Sequence, residues 1–118
     1  MGKRARRRGA AGKLSAPDSA YTSATDDELV LRGSMTPKTR QQYAAVVRGG
    51  LQREDAWQRA VEFLFERLAV RWTVAGVPTE GQKALLMRFR VATQDERRWI
   101  RDVLREHLAE HFPDVEAP

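Results

Sequence analysis

The chain has 118 residues, 42% of them hydrophobic, a formal net charge of +5 and no cysteine. That length suits one domain, and the absence of cysteine excludes a disulfide framework, a thiolate metal site and a Cys nucleophile. There is no run of about 18 apolar residues to cross a membrane and no secretory signal at the start, so a cytoplasmic protein is expected.

The charge is unevenly placed. Lys3, Arg4, Arg6, Arg7, Arg8 and Lys13 crowd the first 13 residues with no acid among them, whereas residues 14–118 hold 15 bases against 16 acids. A basic tail on a near-neutral body suits loose contact with a polyanion, because each phosphate neutralised releases counterions. Residues 1–27 are small and charged, without periodicity, and Tyr21 is their one aromatic. Residues 1–34 are therefore expected to be a disordered basic tail and linker, with a helical domain over 35–118. The stretch LVLRGSMT, residues 29–36, resembles a protease-cleavable linker with Leu31 in place of the usual proline, which would put a start at Met35.

The first helix is expected over 37–48. Thr36 suits its N-cap, Pro37 its first position and Gly49-Gly50 its end, with Tyr43, Val46 and Val47 on the apolar face. Lys38 and Arg40 belong to a run from Arg32 to Arg53 that holds five bases and no acid. TPKTRQQY resembles the opening helix of the DNA-gripping domain of tyrosine recombinases over eight residues; no catalytic motif follows.

Residues 54–75 read as one long central helix. Trp57, Val61, Leu64, Leu68 and Trp72 recur at spacings of three and four, opposite a narrow stripe of Asp55, Arg59, Glu62 and Glu66. Arg67 and Arg71 interrupt the apolar side, as snorkelling or ion-paired arginines do. Gly76 and Pro78 are taken as the stop.

A third helix is expected over 80–90 behind a Thr79-x-x-Gln82 capping box, with Leu85, Leu86 and Phe89 inward. A fourth, over 94–112, follows the Thr93-x-x-Glu96 box. Its apolar face carries Ile100, Val103, Leu104 and Leu108, and Arg98, Arg101 and Arg105 cluster on its outer side. His107-Leu-Ala-Glu110-His111 matches the inverted zinc-protease motif H-x-x-E-H. Only seven residues follow it, too few to bring the further ligand that such a site needs, so the match reads as coincidence. No metal site, cofactor or enzymatic activity is expected.

The expected fold is all-α: a small bundle of about four helices with a disordered basic tail. Its expected role is a non-catalytic nucleic-acid-binding accessory protein. Lys3, Arg4, Arg6, Arg7, Arg8, Lys13, Lys38, Arg40, Arg98, Arg101 and Arg105 would contact phosphates with little sequence preference. The alternative is a helical protein-interaction module with a protein partner or a second copy as a homodimer, since three Trp and four Phe are many for so short a chain to hide.

Overall fold

The computed structural model describes residues 16–49 and 53–118. In chain order the elements are β1 (Ser19–Thr22), β2 (Glu28–Leu31), α1 (Pro37–Arg48), α2 (Arg53–Leu68), β3 (Ala69–Val74), β4 (Val77–Glu80), α3 (Gln82–Arg90) and α4 (Gln94–His111). The strands form one antiparallel sheet in the order β1-β2-β3-β4. The all-α helical-bundle expectation is thus corrected: among the described residues four helices pack with a four-stranded sheet.

Two stretches account for the difference. The first is the central helix, which ends at Leu68 instead of running to residue 75. Val70, Trp72 and Val74 alternate with Arg71 and Thr73, so the run satisfies a strand period as well as the helical one, and β-branched and aromatic residues favour the strand. The turn decides it. Ala75 and Gly76 both have positive φ, 51° and 80°, the conformation of a two-residue hairpin loop whose twist matches the strands it joins. Gly76 closes a hairpin and does not stop a helix.

The second stretch is residues 19–31, expected within the disordered tail and linker. They form β1 and β2, joined by a turn in which the Ser23 hydroxyl oxygen accepts from the Thr25 and Asp27 amides at 3.2 and 3.1 Å. Leu29 and Leu31 are fully buried, so LVLRGSMT opens with a core strand and is not a linker. An Asp27 carboxylate oxygen accepts from the Ala75 amide at 3.1 Å and ties the two hairpin turns together.

Register sorts the sheet into two faces. Tyr21, Leu29, Trp72 and Thr79 form one cross-strand row, and Ala20, Val30, Arg71 and Glu80 the next. The first row meets the helices: Trp72 lies edge-on to Phe65 of α2, which stacks on Phe89 of α3 at 5.0 Å. In the second row Arg71 pairs with Glu28 and Glu80 at 3.4 and 3.7 Å, so this arginine sits on a half-exposed sheet face and not on a helix. Leu64, Leu68, Leu85, Ile100, Leu104 and Leu108 complete the core.

The helix ends bear out part of the sequence reading. The Thr36 hydroxyl caps α1, with Pro37 in its first turn, and Thr93 and Glu96 form a complete capping box on α4. The expected Thr79 box does not form. Thr79 lies in β4, and α3 begins after Gly81, at φ 91°, without a side-chain cap.

Candidate functional site

The motif histidines come together as one cluster, on the apolar side of α4 as their spacing implied. His107 is wholly buried. Its Nε2 lies 2.7 Å from the Arg32 carbonyl oxygen and its Nδ1 2.7 Å from the Tyr21 hydroxyl. A carbonyl only accepts, so Nε2 carries the hydrogen, and in the neutral ring Nδ1 accepts from the phenol. Both nitrogens are thereby engaged, and the ring's one in-plane lone pair, on Nδ1, is taken by the phenol. Burial pushes the His107 pKa below its ordinary value; the Arg32 carbonyl opposes that shift.

His111 Nε2 lies 3.2 Å from Ser19 Oγ and 3.8 Å from Glu110 Oε1. A hydroxyl, an imidazole and a carboxylate in one place suggest an activated nucleophile, but that relay needs the carboxylate on the other ring nitrogen from the hydroxyl. Here both sit at Nε2, so the geometry lacks the relay. Among the described residues no group of three or more His, Asp or Glu side chains is arranged to hold a metal ion.

The arginines expected to grip phosphates are occupied within the fold. Arg98 pairs with Asp95 at 3.2 Å. Arg101 and Arg105 both donate to the Pro118 carbonyl oxygen, at 3.5 and 3.0 Å, and the Arg101 guanidinium lies over the Trp57 ring at 5.0 Å. Arg40 pairs with Asp114 at 3.3 Å and stacks on Phe112. Lys38 is exposed on the first turn of α1. Arg98 and Arg101 line one groove, whereas Lys38, Arg40 and Arg105 do not line it, so the expected phosphate-binding set is not brought together, and a DNA-binding body has no support among the described residues. The reason is local neutralisation: α4 and the segment after it bring acids and carbonyls within reach of their own arginines. Lys3, Arg4, Arg6, Arg7, Arg8 and Lys13 lie outside the described residues.

A different surface emerges between α2 and the α3–α4 corner. A groove of about 920 Å³ is lined on the α2 side by Glu54, Asp55, Trp57, Gln58, Arg59, Val61 and Glu62. Phe89, Ala92, Gln94, Arg97, Arg98 and Arg101 line the other side. Val61 and Phe89 are buried, and Trp57 is partly so. The α4 wall is fixed at its base by a two-point ion pair, Arg88 to Glu96 at 2.8 and 3.3 Å. That hydrogen bonding, with the Thr93 amide, holds the Glu96 carboxyl below its ordinary pKa against the opposing effect of burial. Helix phase had placed Trp57 and Val61 on an apolar side, but no sequence signal brings Arg97 into the same groove as Glu62. Tyr21, Ser19 and the Arg32 carbonyl carried no such signal either, because they lie in residues 1–34, expected to be tail and linker.

Comparison with protein-family models, with curated proteins and with solved structures finds no match to this chain. The functional reading rests on its own chemistry.

Proposed function

We propose that the chain is a non-catalytic protein-interaction module that seats an amphipathic helical segment of a protein partner in the α2/α3–α4 groove. The carrying observation is the groove's charge pattern. Its α2 wall is mainly acidic (Glu54, Asp55, Glu62), its α4 wall is basic (Arg97, Arg98, Arg101), and Val61 and Phe89 lie between. A helix with an apolar stripe, acidic along one edge and basic along the other, meets all three zones at once. A polyanion would meet the arginines only by facing the glutamates too, which like-charge repulsion disfavours.

The test is selection from a displayed library of helical peptides on the full chain. The expected winners carry that three-zone pattern and bind at least about tenfold more weakly to Arg97→Glu/Arg98→Glu, a loss of about 1.4 kcal/mol. Winners without the pattern, or indifferent to the charge reversal, overturn the reading. Two further measurements decide between occupants. Micromolar self-association that is lost in the same variant would make the occupant a second copy. Binding to duplex DNA that survives neutralising Lys3, Arg4, Arg6, Arg7 and Arg8 in the full chain would overturn the protein-partner reading in favour of nucleic acid.

A further inference from the structure

The chain's only two histidines stand one turn apart on α4, with ring centroids 4.6 Å apart. His107 reaches Tyr21, and His111 reaches Ser19. Ser19 and Tyr21 are two residues apart and so share a face of β1. Among the described residues β1 is an edge strand whose ladder partner is β2 alone, and Ala20 and Thr22 on its other face are exposed. The strand is therefore tied to α4 by two imidazoles, beside the packing of Tyr21 on the core.

We propose that His107 is a proton-operated latch on β1: the neutral imidazole holds the edge strand against α4, and protonation in mild acid releases Ser19–Thr22 and opens the outer edge of β2.

The chemistry of His107 carries the argument. Its Nε2 already bears a hydrogen for the Arg32 carbonyl, so an added proton goes to Nδ1. Tyr21 Oη must then accept where it donated, and the phenol hydrogen loses its acceptor. The new charge arises in a site with no solvent exposure, beside a second imidazole.

The groups facing the pair are Ser19 and Tyr21 from β1, the Arg32 carbonyl from the β2–α1 connection, and Glu110 and Phe112 from α4 and its end, while Glu106 acts on Tyr21. Glu110 favours the charged ring, but it is exposed and screened, and burial is the largest influence on His107. A base whose pKa is depressed by folding gives stability that is present above its ordinary value and lost as pH falls below it. β1 yields first because it is a four-residue edge strand with a single partly buried aromatic, and that aromatic is the residue bonded to His107.

The experiment is amide hydrogen exchange on the full chain, expressed as protection factors, at about pH 7.5 and about pH 5. Amides of the β1–β2 ladder are expected to lose at least about tenfold in protection, while those of Trp72 and Leu104 change by less than about twofold. His107→Gln, neutral at both pH values and still able to donate to the Arg32 carbonyl, is expected to flatten the β1 response. Protection in β1 that ignores pH, or a loss shared equally by the whole domain, overturns the latch. If His107→Gln fails to fold, ring-nitrogen resonances of the unaltered chain decide. The β1 amide shifts are expected to titrate with the His107 ring, and β1 shifts that stay still while the ring titrates reject the proposal.

Discussion

The two hairpins reach the helical layer by different chemistry. β3–β4 is anchored by apolar bulk: Trp72, 1% exposed, packs edge-on against Phe65 and lies under the Arg88 guanidinium at 4.5 Å. β1–β2 is anchored partly by Leu29 and Leu31, but its outer strand relies on the Tyr21–His107 and Ser19–His111 hydrogen bonds. The turns differ as well. Ala75-Gly76 closes one hairpin with two residues of positive φ, whereas Ser23–Asp27 uses side-chain oxygens to satisfy its amides. An apolar anchor is strong and indifferent to pH; a hydrogen-bonded anchor is weaker and here carries the titration of His107.

The largest expected effect breaks the apolar anchor. Trp72→Ala should destabilise the domain by about 3–5 kcal/mol, read as a drop in denaturant midpoint with the slope unchanged. A loss under about 1 kcal/mol would mean that β3 is not held by packing. Next is the seam where the chain enters the first hairpin. A Cβ on Gly33 would stand 2.6 Å from the Pro17 carbonyl oxygen and 2.7 Å from the Ala16 Cβ. Gly33→Ala should therefore cost roughly 1–3 kcal/mol, and thermal melts of equal midpoint would show that the seam gives way freely.

Acid titration then separates two groups by pH window. The His107 contribution should fade as pH falls below the ordinary imidazole range. The Glu96 contribution, which comes from a depressed carboxyl, should persist there and fade only below the ordinary carboxylate range. Glu96→Gln keeps an acceptor for the Thr93 amide and loses the charge opposite Arg88, so it should cost roughly 0.5–1 kcal/mol at neutral pH and remove the lower window alone. A lower window that survives the substitution would assign it elsewhere. The smallest effect sharpens the turn comparison. Ala75 is a non-glycine residue at φ 51°, and Asn tolerates that conformation better, so Ala75→Asn should stabilise by roughly 0.5 kcal/mol and raise the melting temperature slightly. A lower melting temperature would count against the strained-turn account.

Much of the helical layer was legible in the residues. Thr36-Pro37 and Thr93-x-x-Glu96 mark the helix starts that the structure adopts. The spacing of Ile100, Leu104 and Leu108 gives the buried face of α4, and His107 lies on it as phase implied. Leu64 and Leu68 are core residues. The candidate groove was half legible: Trp57 and Val61 lay on an apolar side, but nothing told which helix would stand across from them. The histidine cluster was legible as a pair and illegible as a latch, because its partners come from residues read as tail.

What the sequence determined by itself is therefore local: where α1 and α4 begin, which sides of α2 and α4 face inward, and that a basic cluster precedes a near-neutral body. Helices are readable in this way because their hydrogen bonds and caps join residues three or four apart, so period and capping chemistry suffice. Only the tertiary structure decided that residues 69–74 pair as a strand, that 19–31 belong to the core sheet, and which neighbours the arginines of α4 meet. Ladder bonds and ion pairs join residues far apart in the chain. Leu29 finds Trp72 and Tyr21 finds His107 only after the fold has closed, and no window of sequence contains both partners.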